Sequence, residues 1–408
     1  MNQLVRNRAI GAATPSASRR AATEMVLSTM ALAETKRMAR AHSAAVHSLA
    51  IDNIEHRYML STGADISIQL YDLNSFEQTP TCARQVPPAS QIAAVDTAST
   101  HTRLISSIAW YPLDKGMFTT SSFDHTLRVW DAQSMAEACQ FDLESRVLSH
   151  CMSVTGAHAL IAAADESAYI RLCDLRTGSF AQSLLAHHSG CMAAAWSPKQ
   201  PFVLASGGID GTLSMWDIRR ADSQLCSFGL SADSEDSPSE SSSSNNPAIG
   251  GSVSSVLFTG DGDRVISMAS TGKVNVWNIA RPDNPVVECQ LGALKRGNVL
   301  SGARQMALAT ATTRYTTDYE MLFCPGSDNS IAAIGLAKGK HVTSLDSHFA
   351  PVLCATWRPG HLELYSGGAD GNVLIWCPPA AEELSEEQRK IRQDTWSDSD
   401  NGDAEEHA

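Results

Sequence analysis

"GGIDGTLSMWDIRR", residues 207–220, sets Asp210 in an Asp-Gly turn six positions before Trp216. Working outward, the same interval separates Asp65 from Tyr71, Asp124 from Trp130 and Asp370 from Trp376. Four positions before each of these aspartates stands a hydroxyl: Ser61, Thr120, Ser206 and Ser366. A histidine precedes each aspartate by 22 or 23 positions: His42, His101, His187 and His348. Four coincidences of this kind mark a repeated unit, and a repeat takes precedence over any local motif.

Between the fixed points lie alternating apolar and polar runs, such as "MAAAWSP" and "TLSMWDI", separated by turn dipeptides. That pattern predicts short antiparallel hairpins. The unit resembles the WD repeat, whose four strands make one blade of a propeller. The resemblance implies a histidine in the loop entering the blade, a hydroxyl on the second strand, an aspartate in the following turn and an aromatic on the third strand, hydrogen-bonded in series. Three further units are degenerate. "AAADESAYIRLCDLRTG" has Cys173 midway between Trp130 and Trp216, 43 residues from each, with Ser167 at the aspartate position. "VISMASTGKVNVWNI" keeps Trp277 but has Thr271 there, and "SDNSIAAIGLAKGK" fits if Ile334 takes the aromatic place. The expected fold is therefore all-β, a seven-bladed WD-repeat β-propeller over residues 26–380. Residues Val26 to Leu32 are expected to join the last blade as its outer strand and so remove the exposed sheet edge. A short N-terminal helical extension (1–25) and a disordered acidic tail (381–408) flank it.

A Ser, His and Asp set also suggests a hydrolase. Fourfold repetition argues against that, because an active site is made once and a turn lock once per blade. No catalytic, cofactor-binding or metal-binding residue is assigned, and no cofactor is expected. The ten cysteines form no C-x-x-C pair and read as reduced thiols. No apolar run approaches the roughly 20 residues of a membrane span, so no membrane partner is expected.

The net charge of -13 argues against direct nucleic-acid binding. The charge is unevenly placed. Residues 381–408 carry -7 and residues 229–250 carry -4, while residues 1–41 carry +5. The segment "SADSEDSPSESSSSNNP" at 231–247 is too poor in apolar groups to order itself, and 75–100 and 283–315 read as long connections. In the N-terminal stretch Leu4, Val5 and Arg8 fall on a helical period that Gly11 and Pro15 interrupt and that resumes from Ser18 to Met25. A basic transit peptide is the other reading of that stretch.

The opening stretch ends in Trp216-Asp217-Ile218-Arg219, and Cys173-Asp174-Leu175-Arg176 matches it one blade earlier. This W-D-x-R ending is similar to the box by which WD-repeat receptors attach to the triple-propeller adaptor of the cullin 4 ubiquitin ligase. Cys173 departs from the aromatic of that box, and either arginine has a plainer reading as the partner of its own aspartate. "VHSLAIDNIEHRYMLSTGADISIQLYDL", "WYPLDKGMFTTSSFDHTLRVWD", "CDLRTGS", "WDIRRA" and "DTWSDSD" extend the likeness from about Arg20 to Asp400, degenerate blades included. They resemble the Cockayne syndrome A family of receptors. That resemblance implies a non-catalytic, nuclear receptor subunit acting in transcription-coupled repair. Asp217, Arg219, Arg176, Leu4, Val5 and Arg8 would meet the adaptor, and the other face would hold a Cockayne syndrome B type repair ATPase and stalled RNA polymerase II. The alternative is a generic WD-repeat scaffold for histone or signalling peptides.

Overall fold

The alternation along each repeat buries one face of every strand against a neighbouring sheet, so no blade completes a core by itself. In the computed structural model the described residues are 27–33, 36, 38, 41–78, 90–94, 101–220, 223–229, 249, 251–291, 309–313, 316–326, 328–336 and 339–378. They form seven four-stranded antiparallel sheets, each with its strands in sequence order except the one that closes the ring. Blade 4 is representative, with strands Cys191–Trp196, Val203–Gly208, Leu213–Asp217 and Gln224–Ser227. Blade 3 runs Val147–Met152, Leu160–Asp165, Tyr169–Asp174 and Ser179–Leu185. The all-β, seven-bladed propeller read from the repeat is the fold.

Seven apolar clusters hold the described ring together, each shared by two consecutive blades. Ala162, Ile170 and Leu172 of blade 3 meet Trp196, Leu204 and Trp216 of blade 4. Cys354, Tyr365 and Ile375 of blade 7 meet Val46, Leu49 and Met59 of blade 1. The cores are thus the wedge-shaped spaces between sheets. In blade 4 the register slips between Cys191 and Ala193 and again between Met215 and Trp216. Such bulges add to the twist that lets flat hairpins fan around an axis.

Three boundaries differ from the sequence reading. The closing strand is Ala31–Leu32 alone, paired with Cys377 and Trp376. Leu27 and Ser28 instead lie in a helical turn, because Leu27 and Met30 are drawn inward to the cluster between blades 6 and 7. The span 283–315 is not simply a connection. Arg281–Gln290 is the outer strand of blade 5 and Ala309–Thr313 the inner strand of blade 6. Pro282 and Pro285 hide the first of these, yet an outer edge strand is where a missing N–H is tolerated. Likewise 75–100 holds the outer strand of blade 1, Ser90–Ala94. The expected N-terminal helices with Leu4, Val5 and Arg8, the serine-rich insertion 231–247 and the tail 381–408 lie outside the described residues.

Candidate functional site

The four His–Asp sets sit where the repeat spacing put them. In blade 4 the Trp216 indole N–H donates to Ser206 Oγ at 2.8 Å, and the same Oγ lies 2.8 Å from His187 Nε2. The Asp210 carboxylate can only accept and takes the Thr212 hydroxyl proton, so the imidazole proton sits on Nδ1 and Nε2 accepts from the Ser206 hydroxyl. That proton faces Thr212 Oγ1 at 2.7 Å and Asp210 Oδ1 at 3.3 Å. Blade 2 repeats the series through Trp130, Thr120, His101 and Asp124. Blade 7 does so through Trp376, Ser366, His348 and Asp370. Blade 1 keeps His42, Ser61 and Asp65, but the Tyr71 hydroxyl donates to Gln69, with Ser61 as a further partner.

Burial pushes the Asp210 carboxyl up, but hydrogen bonds from His187 and Thr212 outweigh it and hold the group below the usual carboxylate range. Burial lowers His42 and His348 against the pull of their aspartates. These are neutral imidazoles bonded at both nitrogens, built to lock a turn.

Sequence reasoning missed three parts of this pattern. The first is a fifth member two residues after each aspartate. Thr212 and Thr126 give both N–H and hydroxyl to Asp210 and Asp124, Ser67 does so to Asp65, and Asn372 gives its N–H to Asp370. The second is Asp328 of blade 6, which accepts from Ser330 at 2.8 Å as Asp210 accepts from Thr212. Its signal was present, since Asp328 precedes Ile334 by six. The third is blade 3, where Leu143, Ala163 and Cys173 replace His, hydroxyl and Trp and pack in one apolar cluster. There Asp165 stands where blade 4 has Gly208, and it bonds Ser167 in place of the missing turn aspartate.

The two ends of the blades are chemically distinct. His187 precedes the first strand of blade 4 and Asp210 joins the second to the third, so both lie at one end. Arg219 follows the third strand and lies at the other. Its Nε donates to Asp217 Oδ1 at 3.0 Å and its Nη2 to Oδ2 at 2.7 Å, yet its side chain remains 61% exposed while that of Asp217 is 10% exposed. The guanidinium also lies 4.9 Å over the Phe202 ring, a support the sequence did not announce. Arg176 shares that end and is exposed. Its backbone N–H caps Asp174 at 2.9 Å, but among the described residues its side chain has no ion pair with that carboxylate. The structure therefore brings Asp217 and Arg219 together as a clamped pair and leaves Arg176 unclamped.

Residues 94–131, 178–217 and 339–377 match the WD domain, G-beta repeat family. These are the units that end in Trp130, Trp216 and Trp376. Among curated proteins the chain is similar to the WD repeat-containing protein ATCSA-1 of Arabidopsis thaliana, 28% identical over 90% of this chain and 93% of the relative. It is also similar to radiation-sensitive protein 28 of Saccharomyces cerevisiae, 24% identical over 60% of this chain and 52% of the relative. A ribosome biogenesis protein WDR12 homolog of Nematostella vectensis is 32% identical over 30% of this chain and 29% of the relative. Seven four-stranded blades, the His–Asp turn locks and the three matched repeats give this chain the fold of a seven-bladed WD-repeat β-propeller.

Proposed function

We propose that the chain is the substrate-receptor subunit of a cullin 4 RING ubiquitin ligase acting in transcription-coupled repair. The observation that carries this reading is Arg219, held in one geometry by Asp217 and Phe202 yet open to a partner, on the face opposite the His–Asp turns. The similarity to ATCSA-1 across nine-tenths of the chain, and to a radiation-sensitivity protein, supports the repair assignment. In this reading Arg219, Arg176 at the same end of the neighbouring blade and the basic segment 1–25 meet the triple-propeller adaptor. The opposite face receives a Cockayne syndrome B type ATPase and the RNA polymerase II assembly, in the nucleus. The RING subunit and a conjugating enzyme perform ubiquitin transfer, and this chain contributes proximity by holding substrate lysines within reach.

Purified adaptor is expected to co-elute with the full chain. Arg219→Ala should weaken that binding about tenfold, the scale of an arginine hot spot. Removal of residues 1–25 should weaken it further. Unchanged binding after both would leave only a scaffold that engages peptides without a ligase.

A further inference from the structure

Arg219 is one member of a cluster of rings drawn from two blades. Beneath its guanidinium lies Phe202, from the loop between the first two strands of blade 4. His158, from the corresponding loop of blade 3, stands next, its ring centroid 5.5 Å from that of Phe202 and 4.6 Å from that of Trp196. Both nitrogens of His158 are bonded. The Leu160 N–H reaches Nδ1 at 3.2 Å, which places the ring proton on Nε2, and Nε2 donates to the Pro201 carbonyl at 2.6 Å. The ring cannot turn without losing both bonds, so Phe202 is backed by a fixed surface.

The pairing with Asp217 also limits what Arg219 can bind. Asp217 takes Nε and Nη2 in a two-pronged pair and offsets the positive charge. What remains for a partner is Nη1, the second proton of Nη2, and ring surface beside them. A bare guanidinium would select carboxylates. This one offers N–H donors with little net charge.

We infer that Arg219, Phe202 and His158 form a single docking plate that takes an uncharged part of its partner, a backbone carbonyl or side-chain amide beside apolar side chains, and not an acidic patch. Phe202 and His158 act as positioning residues for Arg219. The inference rests on the docking role proposed for Arg219 above.

The test measures binding of the full chain to immobilised adaptor, with a thermal melt for every variant. Phe202→Leu is expected to weaken binding about 2- to 5-fold, the range of an exposed cation–π contact, without lowering Tm. Phe202→Trp should restore the affinity, and Phe202→Leu should cost less in the Arg219→Ala background than in the wild type, because the part of the loss that acts through Arg219 is then gone. Raising salt from about 50 to about 500 mM should change the ratio of wild-type to Arg219→Ala affinity by less than about threefold, because the charge paired with Asp217 leaves little to screen at this plate, whatever the basic segment contributes to both. If Phe202→Leu does not fold, His158→Ala reads the same plate and should give a loss of the same sign. Full binding by Phe202→Leu where Arg219→Ala binds poorly would overturn the plate and keep the docking role. So would a change of tenfold or more with salt in the ratio of wild-type to Arg219→Ala affinity. An Arg219→Ala variant that binds normally would remove the docking role itself.

Discussion

A buried histidine is inexpensive to a fold only while it stays neutral and bonded. His150, on the first strand of blade 3, is enclosed between Thr119 Oγ1 at 2.8 Å from Nε2 and Ser121 Oγ at 3.0 Å from Nδ1. Burial lowers its pKa from 6.5 to about 4. The unfolded chain therefore binds a proton that the folded chain refuses, and stability is expected to fall as pH drops from about 6.5 towards about 4. The full difference corresponds to about 3 kcal/mol, with contributions of the same sign from His42 and His348. Depressed carboxyls such as Asp210 lose their share only at lower pH. Urea midpoints at about pH 7 and pH 4.5 should separate clearly for the wild type, and His150→Asn should narrow the gap.

Three of the four tetrad turns are sealed by a glycine, and blade 2 has Ser122 at that place, its hydroxyl accepting the Asp124 N–H at 3.1 Å. A Cβ on Gly208 would stand 2.3 Å from Asp210 Oδ1 and 2.5 Å from His187 Nδ1, and Gly63 and Gly368 face the same pair in blades 1 and 7. In blades 1, 4 and 7 the imidazole and carboxylate occupy the space where a side chain would go, whereas blade 2 keeps its His101–Asp124 pair beside Ser122. Blade 3 shows the converse, because with no histidine or turn aspartate present the position holds Asp165. Gly208→Ala is therefore expected to displace the network and cost about 1–3 kcal/mol, as overpacking does. The check is a thermal melt beside Gly262→Ala. Gly262 has φ +69 as well as close contacts, but no tetrad depends on it, so indole fluorescence around Trp216 should change only in the first variant.

Closure decides whether seven blades make one molecule. Arg358 of blade 7 is fully buried and donates to Glu363 at 3.0 Å, to the His56 carbonyl of blade 1 at 2.6 Å and to Asn74. Glu363 also accepts from Tyr365 at 2.8 Å and from Lys36, which follows the closing strand. Burial pushes the Glu363 carboxyl up, and Lys36 and Arg358 more than offset it, so the group stays charged. One carboxylate thus ties together the N-terminal strap, the last blade and the first. Glu363→Gln would strand Arg358 in the seam and is expected to cost about 3–5 kcal/mol, the scale for breaking a buried pair. Denaturant unfolding should show it, with the loss exceeding that from Lys115→Ala at the exposed Lys115–Glu55 pair.

How much of this was legible follows from the range over which each feature is encoded. The sequence by itself determined the blade, because a hairpin of fixed length places histidine, hydroxyl, aspartate and aromatic at constant spacings, and strand alternation then leaves only shared cores. It also marked Asp217 and Arg219, two residues apart. Asp328 was legible too, but without a histidine or tryptophan beside it the spacing drew no notice. The tertiary structure alone decided the rest. Phe202 and His158 lie 44 residues apart in different blades, and Lys36 and Glu363 lie 327 apart across the seam. Contacts of that kind obey no period, since they depend on how far one twisted sheet is turned against the next, and that angle is settled only when all seven wedges close on one another.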